Sequence, residues 1–247
     1  LVEVAIREGR LDRAVEVVDK LREKDPASGV SELLHGDALM QAGRPADALE
    51  TYKRAFEKAP SSRLVARIHR AQNETGQKEA ALDFLKSWLD SHPDDQLVRR
   101  SLAAAYLDQG DYARSIREHE TLLEKTPDDA GIANNLAWLY LRQKDPRARS
   151  LAEKMYRMSP DNAAMLDTYG WALVQGGEPG RALPLLREAN ARAAQRPEVR
   201  FHIGAALAML GREDEARQEI EASLAIGASF QEAADARSLL ERIQRTR

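Results

Sequence analysis

His119 is followed by Glu120, which is how a zinc-protease helix opens, but the second histidine of that motif is missing. None of the five histidines (His35, His69, His92, His119 and His202) stands four residues from another, the helical spacing that lets two imidazoles hold one metal. There is no cysteine, so no disulfide, thiolate metal site or thiol nucleophile can form, and either a reducing or an oxidising compartment is compatible. No phosphate-binding glycine loop and no nucleophile elbow occurs. Aspartates and glutamates are abundant, but on polar helix faces they are solvated charges, and catalysis needs a closed, dry pocket. The expectation is therefore no catalytic residue, no metal and no cofactor. What remains are side chains that bind rather than transform. Tryptophan flanked by arginine and asparagine, as at Trp138, has the makeup of a protein-binding hot spot. The arginines at 63, 67, 70, 99 and 100 could grip carboxylates with paired hydrogen bonds, or be no more than solvated helix charge.

These side chains sit on a repeated element. From Asp161 to Leu186 the apolar residues recur three and four apart in two runs, around Leu166, Tyr169 and Leu173 and then around Ala182, Leu183 and Leu186. That is the period of helices buried on one side. Gly176-Gly177 separates the runs, and glycine readily ends a helix. The unit is a helical hairpin of about 34 residues. Its turn returns at Gly9, Gly43, Gly76, Gly110, Lys144, Gly177 and Gly211. A small residue inside the first helix returns at Gly36, Ala103, Ala137, Gly170 and Gly204, with His69 out of pattern. Another, opening the second helix, returns at Ala14, Ala48, Ala81, Ser115, Ala148, Ala182 and Ala216. Prolines follow at 26, 60, 93, 127 and 160, and the next one comes late, at Pro197, with Ala194 in its place. The residues after three of them, Asp94-Asp95, Asp128-Asp129 and Asp161-Asn162, are suited to cap the following helix.

Leu102-Ala103-x-x-Tyr106, Leu136-Ala137-x-x-Tyr140 and the set Ala48, Tyr52, Ala55, Pro60 resemble the tetratricopeptide repeat over essentially the whole chain. The resemblance implies an all-α fold, a right-handed superhelical α-solenoid of helical hairpins. The expected layout is one array: a partial first repeat over 1–27, full repeats at about 28–61, 62–95, 96–129, 130–162, 163–196 and 197–229, and a capping helix over 230–247. The apolar stripe Ala233, Ala236, Leu239, Leu240 and Ile243 suits that cap, because the last repeat would otherwise leave apolar surface in water. The first residues read as the tail of a helix whose beginning is missing, as in a fragment of a longer protein.

In stacked hairpins of this family the first helices line the concave side. The partner-binding residues expected there are Arg63, Arg70, Asn73 and Arg100, then Asn134, Trp138 and Arg142, and finally Asp167, Trp171, Gln175 and Phe201. Trp171 has two readings, a contact residue in the groove or a packing residue against the neighbouring turn. Trp88, Tyr52, Tyr106, Tyr140 and Met155 are expected in the core. Some proteins of the family clamp a C-terminal carboxylate with lysine, asparagine and arginine spread over three repeats. Arg63, Arg67 and Asn135 resemble parts of that clamp, but they do not fall in one consecutive set, and Leu34 stands where an asparagine is required.

A net charge of −3 gives no reason to expect nucleic-acid affinity, and no run approaches the ~18 apolar residues of a membrane span. The expected partner is a protein or peptide, on a non-catalytic scaffold. Three runs, Asn134–Tyr140, Asp145–Ala148 and Leu166–Leu173, and the closing pattern from Phe230 to Leu240 are similar to exosortase-associated lipoproteins and to polysaccharide exporters with these repeats. That resemblance implies a place in bacterial envelope exopolysaccharide export or biofilm assembly: periplasmic, associated with the outer membrane and tethered through an upstream region. The alternatives are a cytoplasmic chaperone or secretion adaptor, direct binding of an anionic polysaccharide along Arg63, Arg70 and Arg100, and self-association through the truncated first repeat.

Overall fold

A computed structural model describes residue 8 and residues 10–24, 29–227 and 229–245; the rest of the expected first hairpin, including Gly9 and the chain before residue 8, lies outside them. Among the described residues there are fourteen α-helices and no strand. The chain divides into two compact units at Glu118/His119.

The first unit holds α1 (Leu11–Lys24), α2 (Gly29–Gln41), α3 (Pro45–Lys58), α4 (Ser62–Glu74), α5 (Lys78–Ser91) and α6 (Gln96–Asp108), and α7 (Tyr112–Lys125) runs through the boundary. The second continues with α8 (Ala130–Arg142), α9 (Arg147–Met158), α10 (Ala163–Gln175), α11 (Pro179–Arg192), α12 (Pro197–Met209), α13 (Glu213–Ile226) and α14 (Ala233–Arg245). Consecutive helices pair from α1 to α6 and from α8 to α14.

Two devices in the sequence build the hairpins. The first is the turn. In six of them the N–H three residues past the helix end bonds the carbonyl five back, as in Arg44 to Leu39 and Glu178 to Leu173, at 2.8 to 3.0 Å. This closure needs a left-handed residue at the turn, which glycine supplies at Gly43, Gly76, Gly110, Gly177 and Gly211. Lys144 supplies it in the remaining turn, with φ 54°, and Asp145 still closes onto Tyr140 at 2.9 Å. The second device is the small residue of the first helix. A methyl group at Gly170 would stand 2.7 Å from the Leu186 side chain, and one at Gly204 2.6 Å from Ile220; at Gly36 it would run into the Tyr52 ring. The large residue of the second helix thus sits against the backbone of the first, which is why the two positions alternate in size. Where the opening alanine is replaced by serine, at Ser115, the buried hydroxyl donates to the Ala103 carbonyl at 2.9 Å.

Helix starts follow the capping expectation, with the second residue of each pair making the bond. Asp95 accepts from the Val98 N–H at 3.1 Å, Asp129 from Ile132 at 2.9 Å, and Asn162 from Ala164 at 2.9 Å. The expected core residues are buried at Tyr52, Tyr106, Tyr140 and Met155. Trp88 is half-buried and pinned on three sides: its Nε1–H donates to Asp95 at 2.7 Å, one face stacks on His92 at 3.9 Å, and Phe56 meets it edge-on at 5.8 Å.

Within each unit, first helices also pack on the next first helix (α4 on α6, α8 on α10, α10 on α12), whereas no such close packing joins successive second helices among the described residues. Closer approach on the first-helix side makes it the inner side of each stack. At the end of the second unit α14 packs on α13 and touches α12, covering the last hairpin as a cap must.

Candidate protein-binding site

The expected contact residues separate into two groups, one in each unit. In the first, the arginines are not equivalent. Arg67 is paired with Asp37 at 2.6 Å, and Asp37 also accepts from the Tyr52 hydroxyl at 2.7 Å. Arg99 is paired with Glu118 at 2.6 Å and donates to the Pro93 carbonyl at 2.7 Å. These two serve the fold. Arg63, Arg70 and Arg100 are exposed, on α4 and α6. Asn73 is half-buried and bonds His69 at 3.0 Å. The two line a small recess of about 160 Å³ together with Lys78 and Asp108, and burial pulls the His69 imidazole below its ordinary range against the pull of Asp108.

The second unit carries the more built arrangement. Trp138, half-buried on α8, has the Arg142 guanidinium 6.0 Å from its ring centre, and Arg142 faces Asp235 of α14 at 3.7 Å. Asn134 lies one turn before Trp138, half-buried, with its side-chain oxygen unbonded. On α10, Trp171 stacks on His202 at 4.2 Å, inclined by 13°, and meets Phe201 at 5.6 Å. With the Gln175 amide turned to suit its neighbours, its oxygen accepts from Trp171 Nε1 at 2.8 Å and its nitrogen donates to the Leu141 carbonyl at 3.3 Å, so one amide ties α10 to α8.

Two of the expected residues lie inside the fold. Asp167 is 6% exposed and bonds the His202 Nδ1 at 2.7 Å, and Phe201 is 3% exposed, between Trp171 and Phe230. Asp167 holds the His202 ring that stacks on Trp171, and Phe201 packs beside Trp171 while still bordering a cavity. Asp167 is covered through its bond to His202, and Phe201 meets Phe230 of the segment leading into α14 at 6.3 Å. Both readings of Trp171 hold at once: one face packs on His202, and the ring still borders two cavities.

The two cavities differ in character. One, of about 660 Å³, is bordered by Arg142, Lys144, Trp171, Gln175, Glu232 and Asp235. The other, of about 520 Å³, is more apolar and is bordered by Trp171, Val174, Phe201, Met209 and Leu239. They share Trp171, Gln175 and Asp235. Sequence reasoning missed His202, Glu232 and Asp235. His202 had a signal, as the one imidazole in the apolar run of α12. Glu232 and Asp235 had none, because their position depends on how the segment after α13 folds back.

No group of three or more potential ligands for a metal ion is found among the described residues. No helix among them is long and apolar enough to cross a membrane.

Tetratricopeptide repeat models match residues 39–105, and residues 100–163 together with 169–235. A curated repeat-containing protein of Pseudomonas aeruginosa is 28% identical over 181 residues, which is 70% of this chain but 30% of that protein, so the chain spans less than a third of its relative. Among solved structures, a tetratricopeptide repeat protein of Parabacteroides merdae superposes with a TM-score of 0.69 at 15% identity, over 98% of this chain and 96% of that one. The C-terminal part of a repeat-containing protein of Cytophaga hutchinsonii gives 0.65 at 15% identity, over 95% and 97%. At these identities the likeness is one of fold.

Proposed function

Because the chain belongs to the tetratricopeptide repeat family, whose arrays are protein–protein interaction scaffolds, we propose that the inner side of its second unit is a non-catalytic binding face for a peptide or protein segment. The observation that carries this is the pair of half-buried indoles, Trp138 and Trp171, on adjacent first helices, with Arg142 beside one and two open cavities beside the other. Half-buried aromatic rings held by fixed neighbours lose little entropy when a ligand covers them, which is what makes such residues binding anchors. Asn134 and Gln175 supply polar contacts along the same side, and Asp167 and Phe201 hold Trp171 in place.

A random-peptide display library panned on the intact chain tests this. Selected peptides are expected to lose at least tenfold in affinity for the Trp138→Ala/Arg142→Ala double variant, with its thermal melting little changed. Failure to select any peptide, or equal affinity for the double variant, overturns the assignment.

The place of the scaffold in bacterial envelope exopolysaccharide export, tethered on the periplasmic side of the outer membrane, is proposed on the resemblance of the Asn134–Tyr140 and Leu166–Leu173 runs to proteins of that setting. Cell fractionation with an antibody to this chain checks it: recovery with outer membranes is expected, and recovery in the cytosol sinks it. The exposed Arg63, Arg70 and Arg100 favour a second ligand class, an anionic chain on the first unit. That binding would fall steeply with salt and survive loss of both tryptophans.

A further inference from the structure

Resting on that assignment, we infer that the larger cavity of the second unit takes an arginine side chain of the bound partner, with its guanidinium on the Glu232 carboxylate and against the Trp171 indole. Glu232 lines this cavity, is 2% exposed, and neither of its carboxylate oxygens bonds any other residue. A buried carboxylate accepts hydrogen bonds only, and native structures rarely leave both of its oxygens unmet. Burial pushes the Glu232 carboxyl above its ordinary range; His202 and Arg142 pull it back through space, and Glu198 adds to the push. None of these side chains bonds it. The cations on the cavity wall are turned elsewhere, Arg149 onto Glu178 at 2.5 Å and Arg142 toward Asp235 at 3.7 Å, while Lys144 stands exposed on the rim turn.

The missing partner is thus a donor that comes from outside, and the shape of the site says which. Two free oxygens side by side match the paired N–H groups of a guanidinium, whereas a lysine ammonium concentrates its donors at one point. An indole on the same cavity wall suits a planar, weakly hydrated cation. Asp235, on the same cavity and 67% exposed at its side chain, puts a second negative charge at the mouth. A volume of about 660 Å³ leaves room for the arginine stem and adjoining backbone.

The test uses N-acetyl-arginine amide and its neutral isostere, N-acetyl-citrulline amide, titrated into the intact chain while the Trp171 indole N–H is followed by NMR. Arginine is expected to bind at least tenfold more tightly than citrulline, and Glu232→Gln to abolish that preference. Asp235→Asn, on the surface and so safe for folding, is expected to weaken arginine about threefold and leave citrulline unchanged. Equal binding of the two probes to the natural chain refutes the inference, as does a preference that persists in Glu232→Gln. If Glu232→Gln fails to fold, an Asp235→Asn variant that binds arginine as tightly as the natural chain refutes it. Peptides that depend on Trp138 and Arg142 but not on arginine or Glu232 leave the binding face standing and remove this pocket. Arginine binding that depends on Glu232, with no peptide selected, does the reverse.

Discussion

Lys144 holds a backbone conformation, φ 54°, that five glycines hold in the equivalent turns. The turn still closes, because the bond from Asp145 to Tyr140 depends on the backbone and not on the side chain. The Cβ of Lys144 carries the strain that glycine avoids. Lys144→Gly is therefore expected to raise stability by about 1 kcal/mol, read as a higher denaturant midpoint with an unchanged slope. Position 144 was recognisable in the sequence as a turn from its register alone. The environment of Glu232 was not: it is one of many glutamates, and nothing local distinguishes a solvated carboxylate from one that is sealed without donors. The same holds for Asp167, which lies on a first helix at a position expected to face the groove, yet bonds His202, thirty-five residues on.

At the scale of the element, size alternation between the helices of a hairpin sets how closely they approach. Leu186 rests against the backbone of Gly170 with no space for another carbon. Gly170→Ala is expected to cost about 1–3 kcal/mol by forcing the helices apart, despite the better helix propensity of alanine, and a thermal melt checks the sign. A higher melting temperature would mean that Leu186 moves aside freely. This contact was legible in the periodic positions of the sequence, where a small residue of the first helix is matched by a large one of the second. How the tyrosines are satisfied was not. Tyr140 donates to Glu120 at 2.6 Å and lies under the Arg147 guanidinium at 4.2 Å, a three-residue set drawn from three successive helices.

At the scale of the whole molecule, a stack of like units leaves an uncovered apolar end, and α14 covers it in the second unit. Removing residues 228–247 is expected to lower the melting temperature and to raise binding of a dye for apolar surface, because Ala233, Ala236 and Ile243 are buried in that contact. An unchanged melt would show that α14 is not a cap. The repeat period, hairpin turns, helix caps and buried tyrosines were legible in the sequence by itself, because each depends on residues within one or two repeats of each other, and a periodic chain prints such local rules many times over. The inner side was legible as a row of positions, but which of its residues face solvent was not. Phe201 is covered by Phe230 because the segment leading into α14 folds back over the end of the stack, and that same return brings Glu232 and Asp235 to the cavity of Trp171 and Arg142. Contacts between α8 or α10 and a segment more than fifty residues later follow no period. Only the tertiary structure decided them, because they depend on where a non-repeating piece of chain comes to rest.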